Sequence, residues 1–143
     1  MKIISNKNNL IKITNNIKNL GFVPTMGAIH KGHLSLIKAS QKKCKKTLVS
    51  IFINKPQFNR KKDFQSYPRT IKKDIKKLSS NKVDYLFCPS FNEMYPDGVN
   101  KKIEVIPFSK KLCGEFRPGH FKAIADIIDR FIKIVKPKKI FLG

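Results

Sequence analysis

Two kinds of apolar pattern alternate along the chain. Short, nearly continuous runs ("FVPT" at 22–25, "TLVSIFI" at 47–53, "VDYLF" at 83–87 and "KIFLG" at 139–143) have the length and the β-branched or aromatic character of buried strands. Between them, apolar residues recur every three or four positions. Leu10, Ile13, Ile17 and Leu20 share one spacing; Leu34 and Ile37, with Gln41 on the same side, share another; Ile71, Ile75 and Leu78 a third. This spacing predicts helices over 7–20, from about His33 to Cys44, over 69–80 and over 120–135. A loop is predicted around Pro56 and Pro68, and a further short strand near 102–106 after the irregular "CPSFNEMYPDGVN". Strands alternating with helices imply right-handed crossovers and a parallel sheet. The expected fold is therefore α/β, a doubly wound parallel sheet in one domain over 1–143, with ligands bound beyond the carboxyl ends of its strands.

Composition modifies this only slightly. No apolar segment approaches the roughly 20 residues that span a bilayer; the richest, "AIADIIDRFIKIV", is interrupted by Asp126, Asp129, Arg130 and Lys133. The N-terminus lacks the apolar core of a secretory signal, so a cytoplasmic protein without a membrane partner is expected. Cys44, Cys88 and Cys113 are odd in number and share no C-x-x-C spacing, which disfavours both a disulfide framework and a zinc site. The net charge of +22 raises the question of nucleic acid. Yet 27 of the 31 basic residues are lysines, scattered in pairs such as Lys42-Lys43 and Lys76-Lys77 and not interleaved with aromatics. A solvated surface explains them better, and no nucleic-acid partner is expected. A basic nucleic-acid-binding module remains the alternative from another class; it would bind in a steeply salt-dependent way without need of the histidines.

The stretch most suggestive of chemistry is "FVPTMGAIHKGHLSL" at 22–36, where a strand hands over to a helix. Gly27 permits a tight turn, and Gly32 removes a side chain where a ligand could approach. The following helix N-terminus is a natural phosphate site. His30 and His33 at i and i+3 could donate hydrogen bonds to phosphate oxygens as a nucleotidyl group is transferred. They could also be capping or core histidines, or metal ligands, although no third ligand is in view.

"VPTMGAIHKGHLSLI", followed in order by "VSIFINKPQF" at 49–58, "YPRT" at 67–70, "KVDYLFCPSFNEMYP" at 82–96 and "RPGHF" at 117–121, resembles the pantothenate synthetase (pantoate–β-alanine ligase) family of the H-I-G-H nucleotidyltransferase superfamily. The resemblance runs from about residue 20 to 143. It implies a Rossmann-like fold and a two-step reaction with ATP and Mg2+. Pantoate would be adenylated, and β-alanine would then displace AMP. It implies that Pro24, Thr25, Met26, Gly27, His30, Gly32 and His33 bind ATP, with His30 and His33 catalytic; that Gln57, Met26, Asn54 and Tyr67 hold pantoate, with Met26 and Phe58 covering its methyl groups; and that the enzyme is a homodimer. Another H-x-G-H adenylyltransferase is the alternative within enzymes. Arg117 and His120 are open between an anion contact and a loop anchor. The chain departs from the family in "NKPQF", where the proline falls one place later and Asn59 replaces a common glycine. It also stops at Gly143, where the family continues into a Glu-Lys-Asp-x-Gln-Gln segment, a Ser-Ser-Arg-Asn loop and a C-terminal domain. Residues 1–143 alone are accordingly expected to bind nucleotide weakly and to make no measurable pantothenate.

Overall fold

The structure, a computed structural model, describes residues 1–104 and 119–143. Five strands, β1 (Lys2–Ile4), β2 (Leu20–Thr25), β3 (Lys46–Ile51), β4 (Tyr85–Phe87) and β5 (Lys139–Ile140), form a parallel sheet in the order β1-β4-β3-β2-β5. Among the described residues six helices connect them: α1 (Lys7–Thr14), α2 (Lys31–Lys43), α3 (Lys61–Ser66), α4 (Ile71–Ser80), α5 (Phe91–Met94) and α6 (His120–Val135). The expected α/β sheet is the one observed. From β2 the chain steps through β3 to β4 in one direction, then returns to lay β5 on the other side of β2. The connections diverge between β2 and β5, which opens a crevice above their carboxyl ends.

Alternation along β2 and β3 sends side chains to two separate cores. Leu20, Phe22 and Leu48 join Leu10 of α1 and Ile127, Phe131 and Val135 of α6 on one face. Val23 and Val49 join Ile37 of α2 and Leu78 of α4 on the other. Phe131 is the hub of the first core. Its ring meets those of Phe22, Phe52 and Phe87 at centroid separations of 5.3, 6.3 and 6.4 Å. Each such pair contributes about 0.5–1.5 kcal/mol beyond burial itself, so α6 is firmly seated.

Element boundaries depart from the periodicity where tertiary pairing outweighs it. Helix α1 stops at Thr14, well short of Leu20, because Leu20 is drawn into β2 opposite Lys46. Strand β1 escapes the sequence pattern, since only Ile4 of its three residues is buried. Helix α3 lies in the predicted loop and buries no residue, so it has no apolar stripe to read. Gln41 is exposed, its amide donating to the Asn81 carbonyl at 2.7 Å. Of the strand predicted near 102–106, Lys102 lies in a turn and residues 105–106 fall outside the described residues. In "KIFLG" the ladder covers only Lys139–Ile140, although the Phe141 amide still donates to the Phe22 carbonyl at 2.9 Å.

Helix α2 lies very close to β2. A Cβ placed on Gly21 would sit 2.1 Å from Ser40 Oγ and 3.0 Å from Cys44 Sγ. Ser40 cannot easily yield, being fully buried and hydrogen-bonded to Thr47 Oγ1 at 2.8 Å. Gly21→Ala should therefore destabilise the fold by about 1–3 kcal/mol, the usual scale of overpacking. Thermal unfolding measures this, and an unchanged melting temperature would contradict the close approach of α2 to β2.

Candidate active site

Strand β2 ends in a turn whose successive amides, from Gly27 to Ile29, are all held. Thr25 donates its hydroxyl to the Ser50 carbonyl at 2.7 Å and accepts the Gly27 amide at 3.1 Å. Gly27 and Ala28 then take left-handed conformations in succession, with φ of 84° and 51°. Glycine does so freely, whereas for alanine the region costs about 1–2 kcal/mol. The strain is offset from α4. Asp74, only 1% exposed, accepts the Ala28 amide at 3.0 Å through Oδ2 and the Ile29 amide at 2.8 Å through Oδ1. The Thr70 hydroxyl donates to the same carboxylate at 2.9 Å, and Lys77 Nζ donates to the Ile29 carbonyl at 2.6 Å.

The turn delivers His30 to the N-cap of α2. Its Nδ1 accepts the Gly32 amide at 3.1 Å, while His33 Nδ1 accepts the His30 amide at 3.4 Å. The capping alternative for these two residues is thus realised on one nitrogen of each ring. It has a chemical consequence. A ring nitrogen that accepts from an N–H carries no proton, so in both neutral imidazoles the proton resides on Nε2 and that atom is a donor. Burial pushes the His33 pKa down, the neighbouring His30 adds to the effect, and Asp74 opposes it. The rings lie 4.0 Å apart between centroids. A Cβ on Gly32 would meet His30 Cε1 at 3.0 Å and Nδ1 at 3.1 Å, so the space left by this glycine is taken up by the His30 ring.

The opposite wall comes from the segment after β3. Lys55–Gln57 form one 3-10 turn with Pro56 inside it, a position that tolerates proline. Buried Asn54 donates through Nδ2 to Gln57 Oε1 at 3.0 Å and to the Ala123 carbonyl of α6 at 3.2 Å. His120 donates from Nδ1 to the Gln57 carbonyl at 3.1 Å, so of its two open readings the loop anchor is the one seen. Arg117 lies outside the described residues.

A cleft of about 220 Å³ joins the two walls at the crevice between β2 and β5. Pro24, Thr25, Met26, His33, Asn54, Gln57 and Tyr67 line it together, with Phe52, Ile127 and Phe131 as apolar floor and Leu142 and Gly143 at its edge. His30 and the two glycines build the turn beside the cleft without lining it. Phe58 faces elsewhere, its ring set edge-on to Tyr67 at 5.5 Å and to Phe64 at 5.6 Å; Phe52 occupies the place expected of it. Burial, and after it Asp74, raises the Tyr67 pKa and keeps its hydroxyl protonated. A second cavity of about 250 Å³, beyond Pro56 against Gly119, Lys122 and Asp126, contains neither histidine. Sequence reasoning missed Asp74 and Lys77. Asp74, an acid on the stripe side of α4 beside Ile75 and Leu78, was the one legible signal.

Comparison with known proteins gives a consistent result. The model of the pantoate–β-alanine ligase family matches residues 2–143. The pantothenate synthetase of Sulfurihydrogenibium sp. (strain YO3AOP1) is 49% identical over 126 residues, covering 88% of this chain and 45% of that protein. That of Thermosipho africanus is 43% identical over 147 residues, covering 100% and 53%. Among solved structures, the pantoate–β-alanine ligase of Francisella tularensis, complexed with β-γ ATP and β-alanine, superposes with a TM-score of 0.93 at 42% identity, covering 98% of this chain and 55% of that one. The chain spans about half the length of the curated relatives it matches.

Two outcomes follow from the turn. Asp74→Asn keeps the shape but turns one of the carboxylate's accepting ends into a donor facing an N–H or the Thr70 hydroxyl. It should cost about 1–3 kcal/mol and shift the amide resonances of residues 27–33; resonances and melting temperature both unchanged would mean that Asp74 does not hold the turn. His33 should protonate below its ordinary value of 6.5. The unfolded chain then binds more protons than the native one just below pH 6.5, so stability should fall as pH drops through that window, and His33→Gln should flatten the slope. An NMR titration of the ring that places its pKa above 6.5 would contradict the capping arrangement.

Proposed function

Because the chain belongs to the pantoate–β-alanine ligase family, we propose that it carries the ATP- and pantoate-binding walls of an ATP-dependent ligase that condenses pantoate with β-alanine. A pantoate carboxylate oxygen attacks the α-phosphorus of ATP, forming pantoyl adenylate and releasing pyrophosphate; the β-alanine amine then attacks the acyl carbon and AMP leaves. The observation that carries this reading is the convergence of His33 Nε2–H, with His30 beside it, and the Gln57 amide on one cleft at the sheet's crevice.

In this reading Pro24, Thr25, Met26, Gly27 and Gly32 shape the nucleotide side, and the two histidines donate to phosphate oxygens whose charge grows in the transition state. Such preorganised donors act without needing to accept a proton, which suits a His33 ring whose pKa burial pushes down. On the acceptor side, Gln57 grips the oxygens of pantoate, Asn54 and Tyr67 frame it, and Met26 and Phe52 cover its methyl groups. Mg2+ enters as part of the MgATP substrate, held largely by phosphate oxygens and water. Among the described residues no cluster of three or more His, Cys, Asp or Glu side chains fits a protein-held ion, and Asp74 is occupied by backbone amides. A cytoplasmic location and a homodimer belong to the same proposal.

The test is AMP release from the full-length gene product supplied with MgATP, pantoate and β-alanine. His33→Ala should slow adenylate formation by about 10²-fold or more, the scale of losing one preorganised donor. An unchanged rate would remove His33 from the chemistry.

A further inference from the structure

Asn54 lies among three partners, and one of them can act in only one way. The Ala123 carbonyl oxygen can only accept, and it lies 3.2 Å from one end of the Asn54 side-chain amide, so that end must be the NH2. The same end lies 3.0 Å from Gln57, which must therefore turn its Oε1 towards Asn54 and its own NH2 away. The other end of Asn54, Oδ1, then needs a donor. The Tyr95 hydroxyl supplies it at 2.6 Å.

Tyr95 is built for that single contact. It is buried, its ring stacks on Phe91 at 4.9 Å and lies 6.2 Å from Phe52, and the Arg130 guanidinium sits 4.4 Å from its centroid. Arg130 in turn is held by Asp126 at 2.6 Å and donates to the carbonyls of Met94 and Gly98, both at 2.8 Å, which fixes the backbone on either side of the tyrosine.

We propose that Tyr95 is a positioning residue that locks the polarity of the acceptor pocket: its hydroxyl completes the orientation of Asn54, set by the Ala123 carbonyl, that leaves the Gln57 NH2 as the donor offered to a carboxylate or hydroxyl oxygen of the substrate. This deepens the function proposed above and rests on its placing of pantoate at Gln57. The pocket so built favours a ligand that presents acceptors at this point. Burial pushes the Tyr95 pKa up to about 12, so the hydroxyl remains a donor at any physiological pH. Without it, Asn54 Oδ1 is a buried acceptor lacking a donor, and Gln57 loses the neighbour that fixes its amide.

The test uses the full-length gene product with Tyr95→Phe, Gln57→Ala and both together, titrating pantoate calorimetrically in the presence of a non-hydrolysable ATP analogue and the analogue alone. Tyr95→Phe, which keeps the ring, should weaken pantoate binding about tenfold, the scale of one oriented hydrogen bond. It should leave the nucleotide affinity unchanged. In the Gln57→Ala background it should have no further effect, because the influence passes through that amide. Additive losses in the double variant, or a Tyr95→Phe protein that binds pantoate normally while Gln57→Ala does not, would overturn the role of Tyr95 and leave the pocket standing. If Gln57→Ala itself leaves pantoate affinity intact, the pocket assignment falls and this proposal with it. A measurement without any variant is also decisive: the Tyr95 hydroxyl proton should exchange slowly with solvent, and fast exchange would overturn the proposal.

Discussion

One buried carboxylate holds the candidate site together. Asp74 reaches from α4 across to the turn after β2 and accepts two consecutive backbone amides, those of Ala28 and Ile29, at 3.0 and 2.8 Å. The turn needs this support because Ala28 sits in a left-handed conformation immediately after Gly27. A charge buried among amides and a hydroxyl is tolerable only when its oxygens are satisfied, and here three donors meet them. The direction in which α2 begins, and with it the positions of His30 and His33, follows from this contact.

The two walls of the cleft arrive at the same chemical sign by different routes. On the β2 side, capping consumes Nδ1 of both histidines and leaves Nε2–H as the donor of each ring, with His33 lining the cleft and His30 beside it. On the β3 side, a backbone carbonyl and a tyrosine hydroxyl orient Asn54, and Asn54 orients Gln57. Donors thus face a cleft whose floor is apolar, a combination suited to ligands with anionic oxygens and small hydrocarbon groups.

Packing and site chemistry meet in α6. The face bearing Ile127, Phe131 and Val135 fills one core, while the start of the same helix contributes the Ala123 carbonyl to Asn54 and His120 to Gln57. A helix anchored by a ring that touches Phe22, Phe52 and Phe87 places these polar groups with little freedom. The rigidity of the core is thereby passed to the orientation of a side-chain amide.

What the sequence determined by itself was local or repetitive. Continuous apolar runs marked β2, β3 and β4, a three-to-four spacing marked α2, α4 and α6, and "PTMGAIHKGH" marked a strand-to-helix turn with two imidazoles, because these signals lie within a few neighbouring residues. Short elements leave no such signal, which is why β1 and α3 are not readable and why the helical spacing of α1 runs on to a leucine that belongs to the sheet. Tertiary structure alone decided the orientation of the functional groups. Asp74 stands 45 positions from Ile29, Tyr95 41 from Asn54, and Ala123 69 from the same asparagine. A hydrogen-bond donor acquires its sense from whatever it faces across the fold, and spacing along the chain does not record that.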